Sequence, residues 1–211
     1  MGGGAGYVSS TTLEGSYGWV GGGGEGLEFN PGTCEFGSWG ERTVDPQDLE
    51  NILANWNLSV GGLVGSEVSL TFDQMVGLPS HNPLVDFHCV EGWSVYDVPW
   101  NGVHLSELFK QVQVDPGATC VNFYTLGGRY NESLPLEVAL ETNIMLAYGI
   151  GGSSLSLKHG FPARMVIPRL FGYKNAKYIE LSDQPIEGFW VAQGYTYDGE
   201  VQPSRLREGK Y

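Results

Sequence analysis

Cys89 lies in the run Asp86-Phe87-His88-Cys89-Val90-Glu91-Gly92-Trp93-Ser94, between an apolar stretch and a Glu-Gly-Trp turn. A thiol so placed can ligate a soft metal or act as a nucleophile, and both roles require the thiolate. It can equally be a buried structural cysteine, because free Cys is among the residues most often found inside proteins. Four histidines are available, His81, His88, His104 and His159, and none pairs at the i, i+4 spacing of a helical zinc site. His88, next to Cys89 on a strand, points to the opposite face. A first-row ion held by protein ligands alone is therefore not expected. No Gly-x-Ser-x-Gly elbow occurs, which weakens a serine hydrolase. A Cys–His hydrolase stays open, with Cys89 as nucleophile and His159 as base.

A second signal is electrostatic. The formal net charge is −13, yet five of the 11 basic residues, Lys158, Arg164, Arg169, Lys174 and Lys177, fall within twenty positions that hold no Asp or Glu. Such a segment either holds an anion or forms a solvated basic face that balances acidic neighbours. The overall charge argues against a nucleic-acid partner, whose phosphates most of this surface would repel.

The elements that must position these groups are short. Leu58 to Val60 and Glu67 to Leu70 read as strands around a Gly61-Gly62 turn, and Thr71-Phe72-Asp73-Gln74 opens a helix that ends at Gly77. Val85 to His88 reads as a strand that delivers Cys89 to a turn. Leu105, Leu108, Phe109 and Val112 form an i, i+3, i+4, i+7 stripe, a helix with a core-facing side. Cys120 to Tyr124 is strand-like, with Cys120 expected in the core, and Leu136 to Glu141 is a short helix begun by Pro135. Met145 to Tyr148, Ala163 to Ile167 and Tyr178 to Leu181 are further strands. The sum is an α+β fold, strand-rich with short helices, as 32 glycines and 11 prolines in 211 residues suggest. Residues 1–33 read as a Gly-rich lead-in and 34–211 as a single domain, with a polar, aromatic-dotted tail from about 182.

Cys34, Cys89 and Cys120 cannot all pair within the chain, and none has the spacing of a zinc ribbon or of covalently attached haem. No apolar run is long enough to span a bilayer. The start has no basic n-region or apolar h-region, so no signal peptide is read. The compartment stays open: periplasmic or otherwise extracytoplasmic if a signal has been removed, cytoplasmic if not.

Three segments together carry a resemblance: His88-Cys89-Val90-Glu91-Gly92-Trp93-Ser94, Val98-Pro99-Trp100-Asn101-Gly102-Val103, and His159 to Pro168 continuing through Gly172-Tyr173-Lys174-Asn175-Ala176-Lys177. In that order, over about residues 34–200, the chain resembles the molybdopterin-binding domain of the sulfite oxidase family. It is most similar to bacterial catalytic subunits of the periplasmic methionine sulfoxide reductase kind. The resemblance implies a sulfite-oxidase-like fold and a molybdenum–molybdopterin cofactor, with Cys89 as the protein's metal ligand. It implies cofactor contacts at Cys34, Glu35, Phe36, His88, Thr125, His159, Arg164, Lys174, Asn175, Ala176 and Lys177. The basic segment would then meet the phosphate of the pterin, through charge-assisted donors. Lys158 and Arg169 are expected to be solvated.

The residues just after the metal ligand bear on the substrate. Sulfite-oxidising members of the family typically carry arginines there, whereas this chain has Val90-Glu91-Gly92-Trp93-Ser94. The Glu91 carboxylate disfavours sulfite and favours a neutral S-oxide or N-oxide such as methionine sulfoxide. Tyr130 resembles the active-site tyrosine of sulfite oxidases, which keeps sulfite oxidation as the alternative; Tyr130 packing beside a hairpin is the structural reading. Electrons are expected to pass through a separate redox partner, such as a cytochrome or a membrane haem subunit. A non-catalytic binding module on the same fold is the alternative of another class.

Overall fold

The computed structural model describes residues 54, 56–90, 92–125, 130–177, 179–181, 191–192, 195 and 199–201. The lead-in 1–33, the predicted contacts Cys34, Glu35 and Phe36, the acid Glu91 and most of the tail lie outside the described residues.

Three antiparallel sheets make up the strand framework. β1 (Asn57–Val60) pairs with β2 (Val68–Thr71), and the short helix α1 (Phe72–Val76) follows at once. The capping box explains its abrupt start: Thr71 Oγ1 accepts from the Gln74 amide at 3.3 Å while Gln74 Oε1 accepts from the Thr71 amide at 2.9 Å. β3 (Ser80–His81), β4 (Leu84–His88) and β5 (Ser94–His104) come next, then helix α2 (Leu105–Val112). β6 (Cys120–Thr125) and β7 (Asn131–Pro135) form a hairpin that runs into helix α3 (Leu136–Ala139). β8 (Met145–Ile150), β9 (Ser153–Ser154), β10 (Arg164–Val166), a 3-10 turn (Gly172–Lys174) and β11 (Ile179–Leu181) complete the order. The six-stranded sheet runs β10-β8-β5-β3 with β4 on β5 and β9 on β8, and the three-stranded sheet runs β11-β6-β7.

The central sheet is buried on both faces. Met145 and Ala147 of β8 pack with Val98 and Trp100 of β5 and Val166 of β10 in one cluster; Leu146, Val103 and Met165 pack on the other side with all three α-helices and β1. The period of two along each strand sorts the side chains between the clusters. α2 buries Leu105, Leu108 and Val112, as its stripe predicts, and His104 caps it by accepting from the Ser106 amide at 3.2 Å.

Two readings of the sequence are corrected here. Residues 94–104, to which the sequence reading assigns no element, form the longest strand, β5, although it contains Pro99 and Gly102. Pro99 faces Leu84 of the outlying strand β4, and a register shift after Asn101 absorbs the irregularity. Cys120 is exposed and not in the core, because it is the first residue of β6 and burial along that strand begins beyond it.

Gly102 shows why this strand tolerates no side chain at its bulge: a Cβ there would press on the Leu146 carbonyl oxygen and lie 2.8 Å from Ala147 Cα. Both obstacles are backbone of the paired strand. Gly102→Ala should therefore destabilise the fold by about 3 kcal/mol, the upper range for overpacking. A urea unfolding midpoint equal to that of the parent protein would contradict this packing.

Candidate functional site

Cys89 leaves β4 into a tight connection to β5. Its amide donates to the Trp93 carbonyl at 2.9 Å, and the Gly92 amide donates back to the Cys89 carbonyl at 3.0 Å. His88 pairs in register with Ser94, and its Nδ1 lies 2.7 Å from the Ser94 hydroxyl, so this ring braces the hairpin neck. Burial lowers the His88 pKa, with Asp86 opposing. Cys89 itself is half-buried against the cluster of Phe87, Val98, Trp100 and Val166, together with Trp93 and Phe161.

That cluster also carries the cation of the basic segment. Arg164 is 1% exposed. Its guanidinium carbon lies 5.2 Å from the centre of the Phe87 ring and 5.3 Å from that of Trp100, and its nitrogens donate to the carbonyls of Met165, His159 and Asn175. Aromatic faces attract a cation, and carbonyl acceptors replace the water it has lost. Phe87 is two residues before Cys89. The strand that delivers the thiol therefore also supports the guanidinium.

His159, Arg164 and Lys177 meet around Gly160. This glycine has φ of +106°, and a Cβ on it would lie 3.0 Å from Lys177 Cβ and 3.1 Å from Arg164 Cβ. Lys177 forms a β-bridge to Arg164 and donates to the Lys158 carbonyl at 2.8 Å. His159 Nδ1 lies 3.0 Å from the Ser156 hydroxyl. Its pKa is lowered to about 3, by burial first and then by Arg164, Lys177 and Lys158. Burial alone disfavours the imidazolium; the nearby cations Arg164, Lys177 and Lys158 add to it, and that grouping of positive charge suits an anion.

The remaining predicted contacts occupy the surrounding turns and strands. The Asn175 side chain turns inward, accepting from the Ile167 amide at 2.7 Å and donating to the carbonyls of Leu170 and Phe171. The Ala176 carbonyl accepts from the Met165 amide at 2.7 Å, which lays residues 175–177 along β10. Thr125 closes the β6–β7 hairpin on Tyr130 through its hydroxyl and amide. Lys174 is buried in an ion pair with Glu132, Nζ to Oε1 2.8 Å. Tyr130 donates its hydroxyl to the Tyr173 carbonyl, and burial, ahead of Glu132 and Tyr173, raises its pKa well above the ordinary value, so it keeps its proton at neutral pH. Lys158 and Arg169 are exposed, Arg169 pairing with Glu141 and Glu200. Phe87 and Trp100 stand inside quoted motifs without a role of their own, and Glu132 sits in a strand, β7, that its composition does not announce.

Among the described residues no three or more His, Cys, Asp or Glu side chains are grouped to hold a metal ion. A lone soft donor suits a metal whose other sulfurs arrive with a cofactor. The cations grouped around Gly160 suit the phosphate of that cofactor. The residues present thus fit the molybdopterin group.

The chain belongs to the oxidoreductase molybdopterin binding domain family, whose profile matches residues 44–190. It is 34% identical over 151 residues to the uncharacterized oxidoreductase YuiH of Bacillus subtilis, covering 70% of this chain and 76% of the relative. It is 30% identical over 170 residues to the protein-methionine-sulfoxide reductase catalytic subunit MsrP of Ralstonia nicotianae, covering 71% of this chain and 51% of the relative. The structure of the sulfane dehydrogenase SoxCD from Paracoccus pantotrophus superposes with a TM-score of 0.61 at 22% identity, over 78% of this chain and 46% of that one, and bears on the fold alone. The chain therefore spans about half the length of the last two. Among the described residues no helix is long and apolar enough to cross a membrane.

His159 makes this grouping of charges titratable. Its folded pKa of about 3 lies below the unfolded value near 6.5, so the native state binds fewer protons between these limits. The stability this contributes is full above about pH 6.5 and is lost as pH falls toward about 3. The urea midpoint of cofactor-free protein should fall between pH 7 and pH 4, and His159→Asn should flatten that decline. An unchanged slope in the variant would assign the decline to other groups.

Proposed function

We propose that this domain is the catalytic part of a reductase that removes oxygen from a neutral S-oxide or N-oxide, methionine sulfoxide being the leading candidate. The observation that carries the reading is the shared support of Cys89 and Arg164 on Phe87, which puts one soft ligand and one buried cation on one cluster. In this reading Cys89 holds the molybdenum as a thiolate and does not attack substrate. Arg164, His159 and Lys177 hold the phosphate end. Cys34, Glu35, Phe36, His88, Thr125, Lys174, Asn175 and Ala176 complete the cofactor contacts, several of them through backbone or by positioning. When bound, the cofactor supplies a centre for two-electron oxygen-atom transfer.

The protein's own groups then set specificity. Glu91, two residues after the ligand, repels an oxyanion such as sulfite and leaves a neutral sulfoxide unopposed. Tyr130 retains its proton and acts as a hydrogen-bond donor, not as a base. Relatives named as methionine sulfoxide reductase catalytic subunits support the reductive direction. A subunit so named works with another, and a separate electron carrier, a cytochrome or a membrane haem subunit, is the partner this reading calls for. The resemblance of Tyr130 to the sulfite oxidase tyrosine favours sulfite oxidation as the second reading.

The test is turnover by the molybdenum-loaded protein with artificial electron carriers. Methionine sulfoxide should be reduced and sulfite left unoxidised, and Cys89→Ser should lower turnover by at least about a hundredfold, as loss of a metal ligand does. Sulfite oxidation without sulfoxide reduction would reverse the substrate assignment.

A further inference from the structure

Lys174 and Glu132 are both 1% exposed, and their charged atoms stand 2.8 Å apart across 42 residues of sequence. Glu132 Oε1 also accepts from the Ser133 amide at 2.9 Å, while Oε2 is buried and has no hydrogen-bond partner among the described residues. Burial raises the Glu132 pKa, and Lys174 opposes the rise. A buried ion pair with an open acceptor is a poor way to stabilise a fold, since two apolar side chains of similar size commonly serve as well. Its placement explains it better.

Lys174 ends the 3-10 turn, immediately before Asn175, Ala176 and Lys177. Glu132 belongs to β7 of the three-stranded sheet, whereas Ala176 and Lys177 are stitched to β10 of the central sheet. The pair is thus a tie between the two sheets at the start of the segment. A second tie lies beside it, the Tyr130 hydroxyl on the Tyr173 carbonyl. From the tail, Gly199 closes over the lysine stem so tightly that a Cβ there would lie 2.7 Å from Lys174 Cγ.

We propose that Glu132 is a positioning residue for the cofactor-binding segment: it draws Lys174 inward and, through it, fixes the backbone of residues 175–177. This rests on the molybdopterin reading. Lys174 then contributes geometry and not charge to the phosphate, whose cations are Arg164 and Lys177. The cofactor is held because the segment is preorganised, and Glu132 touches neither metal nor substrate.

The test compares Glu132→Gln, Lys174→Met and the double variant as full-length protein made in cells that supply the cofactor. Molybdenum per chain and pterin fluorescence after denaturation give retention, and thermal unfolding of cofactor-free protein gives stability. Each single variant should hold the cofactor roughly tenfold to a hundredfold more weakly, as loss of a supporting contact does. The double variant, with neither charge of the pair, should regain thermal stability while retention stays low. Recovery of both would make the pair merely structural and overturn the proposal. So would full loading of Glu132→Gln beside an empty Lys174→Met, which would mean that Lys174 touches the cofactor directly. Absence of molybdenum and pterin from the parent protein would instead overturn the cofactor reading and this proposal with it.

Discussion

The buried guanidinium of Arg164 is the constraint around which the site is arranged. An arginine cannot shed its charge, so a fold that encloses one must provide acceptors and polarisable surface around it. Here the carbonyls come from the His159 turn, from β10 and from Asn175, and the rings come from β4 and β5. Separate stretches of chain must therefore be in place together. The sulfur of Cys89 is located by the same requirement, because its strand supplies one of the rings.

Charge is divided by depth. At the surface Arg169 meets two carboxylates in water, where an ion pair contributes little, at most about 1 kcal/mol. One layer in, Lys174 meets a dry carboxylate. Arg164 and Lys177 have carbonyls among their contacts, and both oppose protonation of His159, behind the effect of its burial. A strongly acidic chain thereby keeps one place attractive to an anion.

What the sequence disclosed followed locality. The helix opened at Thr71, the α2 stripe and the strand before Cys89 depend on neighbours within a few residues, and all appear where expected. β5 does not, because Pro99 and Gly102 carry the local signature of a break while their tolerance comes from β4 and β8 alongside. Cys120 departs from expectation for a related reason: its strand reads as apolar, but exposure at a strand end is set by where the sheet stops. The metal ligand and the basic segment are legible as residue types and as a family pattern. The inward turn of Lys174 is not, since nothing near it names a partner 42 residues away.

The 3-10 turn carries a consequence for how such a sequence can drift. A Cβ on Gly172 would lie 2.5 Å from the tip of the Phe87 ring, so the two positions share one volume. Any larger residue at 172 demands a smaller one at 87, and a smaller one at 87 withdraws a face from Arg164. Substitutions on the thiol strand and on the turn are therefore coupled by volume, and neither can evolve alone. Among proteins built this way, a departure from phenylalanine at the first position should be accompanied by a change at the second, which makes the pair a marker of whether a divergent chain still keeps its arginine in the same socket.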